Sequence, residues 1–368
     1  MALTDIWFVL IAVLWTGYFV LEGFDFGVGM LLAPLSRTNA ERRTLLNTIG
    51  PVWDGNEVWL LVAGGATFAA FPAWYASLFS GFYLALLIIL VALISRVVAL
   101  EFRAKIDSAR WRRNWDRVIM TSSAIPALLW GVAFGNIVAG VPLDARHHFT
   151  GTLFTLLNPY ALLGGLTTLS VFALHGCRFV ALKTTGEIRE RATRLGWMIS
   201  GVAWVCAGGF LFWTQFVYGD ATTAIPAGIA AVALLASVVA SVMNREGWAF
   251  TLTAVSIAAF TATLFTSLYP NVLPSTTAAA NSLTVTNAAS TPYTLTIMTW
   301  VAVVFTPVVL AYQAWTYWVF RKRLSPAGFT GTTGLSLTGK HHAAPTAQPL
   351  PPSTPPVTPP GAVTGGGR

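Results

Sequence analysis

Charge is scarce in this chain, and what there is leans to one sign. Of 368 residues only 10% are Asp, Glu, Lys or Arg, with 14 acidic against 22 basic. That is too little charge for an ordinary soluble surface. Cysteine is scarcer still: Cys177 and Cys206 are the only two, with no CxxC spacing between them. A disulfide scaffold and thiol catalysis are both excluded on that count. In place of charge there is apolar mass: 55% of residues are hydrophobic and the mean hydropathy is +0.65. A net charge of +8 would suit nucleic acid, but the positions of the basic residues argue against that partner.

Runs of roughly 20 apolar residues, the length that spans a hydrocarbon core, recur along the chain. Nine spans are read, over about 7–33, 51–71, 76–101, 118–140, 156–178, 196–217, 222–243, 248–269 and 294–320. No basic segment precedes the first run, so it reads as a span and not as a leader peptide. Basic residues gather in alternate connections: Arg37, Arg42 and Arg43; Arg103, Lys105, Arg110, Arg112, Arg113 and Arg117; Arg178, Lys183, Arg189, Arg191 and Arg194; Arg245; then Arg321, Lys322 and Arg323. With Lys340 and Arg368, that places 20 of 22 on one side, leaving Arg146 opposite and Arg96 inside a span. The positive-inside rule then puts the N-terminus outside and the C-terminus in the cytoplasm of a multi-pass membrane protein. Residues 324–368, rich in Pro, Thr and Gly, read as a disordered cytoplasmic tail. The uncharged segment 270–293 reads as an ordered outer cap or a partner contact.

The few acids inside the spans are not scattered. With a rise of about 1.5 Å per residue, Glu22 and Asp25 fall in the cytoplasmic half of the first span. Asp54 and Glu57 fall in the first turns of the second, with Arg96, Glu101 and Asp116 near the inner ends of the third and fourth. One reading makes these end residues satisfied by water, headgroups and one another, with Trp53, Trp59 and Trp74 as interfacial anchors. The other makes them a proton entry route, because intramembrane carboxylates usually face cavities and mark ion pathways. A route that stops partway across delivers protons to a consumer, which can lie on another chain. Spans six to nine have almost no ionisable interior residues, which counts against the competing function, a proton-coupled secondary transporter with a midplane site.

Membrane haem b takes His or Met ligands projecting from spans. His147 and His148 lie in an outer loop, and His341 and His342 form a tail pair read as solvated. That leaves His175, more simply read as a helix-end histidine bonded to backbone or water, so this chain is expected to hold no haem and no metal by itself. Gly23 and Gly27, with Gly64 and Gly65, are the small residues expected to let helices approach closely.

Six blocks carry a family resemblance: EGFDFGVGML (22–31), GPVWDGNEVWLLVAGGATFAAFP (50–72), SGFYLALLIIL (80–90), SRVVALEFRAK (95–105), NPYALLGGL (158–166) and SLTVTNAASTPYTLTIM (282–298). In this order they resemble subunit II of the cytochrome bd quinol oxidases. The resemblance implies an all-α polytopic membrane fold of nine transmembrane helices: one four-helix bundle over about 7–140, a second over about 156–269, and a peripheral helix over about 294–320, all within a membrane domain of residues 1–323. It implies a heterodimer with subunit I, which carries haem b and haem d, oxidises quinol and reduces oxygen to water without pumping. Small single-span subunits, quinol and lipid are further candidate partners. On the matching positions, Asp25 and Asp54 are the leading proton carriers, with Glu57 and Glu22 beside them. Arg96, Glu101 and Asp116 form a structural charge network, and Trp53 is a candidate contact for a structural quinone. No residue of this chain is catalytic on that reading. Where many relatives have proline after the third-span arginine, this chain has Val97.

Overall fold

The computed structural model describes residues 2–329. It is all-helical: α1 (Leu3–Met30), α2 (Leu32–Leu35), α3 (Asn39–Ile49), α4 (Trp53–Ala70), α5 (Pro72–Gly81), α6 (Tyr83–Phe102), α7 (Ala109–Ala139), α8 (Pro159–Lys183), α9 (Glu187–Val217), α10 (Ala224–Val242), α11 (Glu246–Leu268) and α12 (Pro292–Val319). Among the described residues, eight helices are long and apolar enough to cross a membrane: α1, α6, α7, α8, α9, α10, α11 and α12. The expected second span, α4, is not one of them. Its 18 residues open with WDGNE, so polar side chains take up its first turns.

Two further differences have local causes. The expected third span, 76–101, is divided: α5 ends at Gly81 and α6 begins at Tyr83, so an unbroken apolar run hides a break at Phe82. Conversely, α7 and α9 extend well into the arginine-rich connections, because Arg and Glu are good helix formers outside the bilayer as well as in water-facing turns. α6 runs through Arg96 and Val97 without interruption, as the missing proline allows.

Helices pack where small residues permit it. A Cβ on Gly27 would lie 2.2 Å from the Phe172 carbonyl oxygen and 2.7 Å from the Gly176 Cα, so α1 and α8 touch backbone to backbone there. Gly64 and Gly65 behave otherwise: a Cβ on either meets nothing within 4 Å. They line an apolar cleft of about 470 Å³ bounded by Leu60, Phe68, Trp74, Phe82, Leu86 and Trp130. α1 lies at the centre, against α4, α7, α8 and α11, and Trp15, Tyr18, Phe19, Trp130, Phe134 and Phe172 fill the space around it. Segment 270–293 is indeed ordered: β1 (Asn271–Leu273) pairs antiparallel with β2 (Leu283–Thr284), and Val272, Leu273, Leu283, Val285 and Ala288 are buried.

The end of the helices that carries the basic connections, the basic end below, is laced by ion pairs. Asp116 accepts from Arg103 Nε at 2.5 Å and from Arg42 Nη1 at 2.9 Å. Glu41 meets Arg191 at 2.6 Å, and Glu246 meets Arg189 and Arg323. The reading of 324–368 as a disordered tail needs correction at its start. Leu324 N–H donates to the Lys183 carbonyl at 2.8 Å, and Arg43 Nη1 donates to the Phe329 carbonyl at 3.1 Å. Backbone pairing at Leu324 and the Arg43 side chain at Phe329 thus strap 324–329 across the basic end. Residues 330–368, with His341 and His342, lie outside the described residues.

Candidate functional site

α1 brings Glu22 and Asp25 to one place, three residues apart on one face. Both are fully buried, near the basic end of the helix. Opposite them α6 supplies Arg96, 1% exposed, which donates through Nη1 to Glu22 Oε1 and lies over the Phe26 ring, its guanidinium carbon 4.9 Å from the centroid. From α4, Asn56 Nδ2 donates to Asp25 Oδ2 at 2.7 Å. Its oxygen accepts from Gln313 Nε2 at 3.0 Å and from the Tyr317 hydroxyl at 2.8 Å, both on α12. Glu57, half-buried on α4, lies within the electrostatic reach of Glu22 and Arg96. Three atoms of this cluster, Glu22 Oε2, Asp25 Oδ1 and Arg96 Nη2, are buried with no hydrogen-bond partner among the described residues. Buried polar atoms are almost always paired, so three unpartnered ones set this pocket apart from the rest of the core.

The balance of charge sets the chemistry. One guanidinium neutralises one carboxylate, and burial in low dielectric makes a second unpaired carboxylate costly by several kcal/mol. Arg96 hydrogen-bonds Glu22, and Asp25 lies within the electrostatic reach of both.

The other residues expected at the site fall in different places. Asp54 is exposed on the first turn of α4, and no hydrogen bond or ion pair joins it to Asp25 among the described residues; the side chain that reaches Asp25 from this helix is Asn56. The expected network of Arg96, Glu101 and Asp116 divides. Arg96 belongs to the acid pocket. Asp116 belongs to the Arg103–Arg42 cluster, where Arg103 Nη2 also donates to Asn39 Oδ1 at 3.1 Å. Glu101 is exposed and has no ion-pair partner among the described residues, because it points off the far side of α6 one turn beyond Arg96. Trp53 is half-buried and packs against the inner core. Trp59 and Trp74 are not surface anchors: the Trp59 ring lies on Gly17, and Trp74 is 2% exposed.

Asn56, Gln313 and Tyr317 escaped a search based on charge. A signal existed: Gln313 is the only amide in an otherwise apolar or hydroxyl-bearing span, with Tyr317 one turn away. His175 is a core histidine. Its Nδ1 pairs with Thr253 Oγ1 at 2.6 Å, its Nε2 with the Val20 carbonyl at 3.2 Å, and its ring stacks on Phe250 at 4.6 Å. Both ring nitrogens are engaged, so its surroundings do not fit an axial haem ligand. Among the described residues no group of three or more His, Cys, Asp or Glu could hold a metal ion.

Comparison with known proteins bears on the whole of this arrangement. The family model for cytochrome bd terminal oxidase subunit II matches residues 3–320. The chain is 41% identical over 331 residues to the cytochrome bd ubiquinol oxidase subunit 2 of Bacillus subtilis, covering 88% of this chain and 97% of that one. It is 37% identical over 359 residues to the cytochrome bd-I ubiquinol oxidase subunit 2 of Escherichia coli K12, covering 87% and 94%. In fold it is similar to a chain of the bd oxidase from Geobacillus thermodenitrificans, with a TM-score of 0.71 at 16% identity over 87% of this chain and 99% of that chain. These likenesses do not favour a proton-coupled transporter. The chain belongs to the cytochrome bd terminal oxidase subunit II family.

Proposed function

We propose that this chain is the haem-free subunit of a quinol:oxygen oxidoreductase and that its buried acid pocket supplies cytoplasmic protons to oxygen reduction on the partner. The observation that carries the reading is the pocket: two fully buried carboxylates share one buried guanidinium, and three polar atoms are left unpartnered. In this reading the basic end faces the cytoplasm, so the N-terminus is outside and protons enter past exposed Asp54 and half-buried Glu57. They pass to Glu22 and Asp25, while Arg96 keeps the pair from both being protonated at once. Asp116, with Arg103 and Arg42, holds the inner ends of α3, α6 and α7 together and stands outside the proton route.

The haem-bearing subunit I, with haem b and haem d, supplies the electron and oxygen chemistry, and the enzyme works only as the heterodimer. Charge separation then comes from proton uptake inside and quinol oxidation outside, without a pump. α4 acts as the ninth span, with Asn56 of its polar first turns paired inside the protein, so the fold comprises two four-helix bundles (about 7–140 and 156–269) and the peripheral α12. Trp53 is kept as a contact for a structural quinone, and small single-span subunits as further partners.

The test is purification with the haem-bearing partner followed by Asp25→Asn and Asp54→Asn. Both are expected to slow oxygen consumption, Asp25→Asn the more. Unchanged oxygen consumption and membrane-potential generation in both variants would remove the proton-supply role.

A further inference from the structure

α12 has the surface of a bystander. Leu295 is its only buried residue, and Trp315 and Trp318 are exposed on it. Toward the basic end, however, its half-buried positions are Gln313, Thr316 and Tyr317. A spacing of three and four puts them on one face, and that face is polar where the rest of the helix is apolar. The helix therefore turns the Gln313 amide and the Tyr317 hydroxyl inward, onto the acid pocket.

What they do there follows from the two ends of one amide. Asn56 Oδ1 accepts twice, from Gln313 Nε2 and the Tyr317 hydroxyl. With its oxygen so engaged, Asn56 presents its nitrogen to Asp25 and donates at 2.7 Å. Which way an amide points is decided by its partners. Without the two donors on α12, only a long 3.5 Å donation from Nδ2 to the Leu21 carbonyl still favours this orientation, and Asn56 can reverse and present its oxygen to Asp25. An N–H donated to a carboxyl group favours the ionised form, whereas a facing carbonyl favours the protonated one.

We propose that Gln313 and Tyr317 are positioning residues for Asp25: by holding Asn56 in its donating orientation, the peripheral helix sets how readily the buried carboxyl releases its proton. This rests on the proton-supply reading of the pocket. The other charged groups around Asp25 are Glu22 on its own helix, Glu57 on α4 and Arg96 on α6, with the Tyr317 phenol on α12. α7 and α8 meet this part of α1 through Ser123, Phe172 and Gly176. The charged residues of α3 are engaged elsewhere, Glu41 with Arg191, Arg42 with Asp116 and Arg43 with Phe329. Glu246 on α11 is engaged with Arg189.

The experiment is an infrared titration of the purified complex, in which the protonated-carboxyl band of Asp25 is identified by its loss in Asp25→Asn. In a Gln313→Leu/Tyr317→Phe double variant that band is expected to persist to higher pH, by about 0.5–1 pH unit, the size of one hydrogen bond. Thr299→Val is the control, since Thr299 Oγ1 accepts from Trp7 Nε1 at 3.0 Å and anchors the other end of α12. An unmoved band in the double variant, or an equal shift in Thr299→Val, overturns the proposal. Should the double variant fail to assemble, Tyr317→Phe alone keeps the ring beside Phe24 and must move the band the same way; no movement overturns the proposal there too. Oxygen consumption separates the two layers. A shifted band with turnover insensitive to Asp25→Asn refutes proton supply while the positioning role stands, and the reverse result refutes positioning alone.

Discussion

Of the arginines buried near the basic end of this protein, Arg96 and Arg178 lie within helices, one in each half, and they are satisfied in opposite ways. Arg96 is 1% exposed and meets a carboxylate, with a second acid three residues along the same helix. Arg178 is 2% exposed and meets hydroxyls: Nη1 donates to Ser241 Oγ, and Nη2 donates to Ser200 Oγ at 3.2 Å. No acid pairs with it among the described residues. A serine fixes a guanidinium but exchanges no charge with it, whereas a carboxylate pair around a guanidinium can hold or release a proton. The same residue type is thus a structural pin in the second half and, on the proposed function, part of a proton-carrying site in the first.

Substitution breaks this comparison most strongly at Arg96. Arg96→Leu leaves Glu22 and Asp25 buried without a cation, a loss of about 3–5 kcal/mol. The complex is expected to be recovered in low yield and to unfold at lower temperature, read by thermal denaturation of the purified assembly. Arg178→Met removes a cation whose partners have other bonds: Ser200 Oγ already donates to the Gly196 carbonyl at 2.6 Å, and Ser241 Oγ accepts from Trp197 Nε1 at 3.2 Å. Its cost should be about 1 kcal/mol, with turnover retained. A collapse of Arg178→Met as deep as that of Arg96→Leu would erase the distinction.

The smallest effect lies outside the membrane. Burial pushes the Glu41 carboxyl up, but the Arg37 backbone N–H at 2.5 Å and the Arg191 guanidinium outweigh it and hold it below the usual carboxylate range. A depressed carboxylate stabilises the fold above its unfolded value and loses that contribution as pH falls through the folded one. Glu41→Gln should therefore cost under about 1 kcal/mol at neutral pH, given the pair's partial exposure. The difference from the parent protein should vanish as pH drops below about 4. Melting temperatures across pH check this, and a gap that widens in acid would contradict it.

Much of this was legible in the sequence, for physical reasons that also explain the gaps. Long apolar runs report helices directly, so α1, α8 and α10 to α12 fall close to their expected ranges, as do the C-terminal ends of α7 and α9. The break at Phe82 gives no such report, since Gly81 and Phe82 are as apolar as their neighbours. Charge marks Glu22, Asp25 and Arg96, but it also marks Glu101 and Asp54, which helix phase turns to the outside. Asn56, Gln313 and Tyr317 carry no charge, and Asn56 meets the other two, more than 250 residues away in the chain, only because α4 and α12 lie side by side.

The most direct measurement of the central claim is membrane potential generated per oxygen consumed by the reconstituted complex, comparing Asp25→Asn with Arg178→Met. The account predicts slowed turnover and a depressed potential in Asp25→Asn, with both near the parent level in Arg178→Met. Parent-level turnover and potential in Asp25→Asn would contradict it.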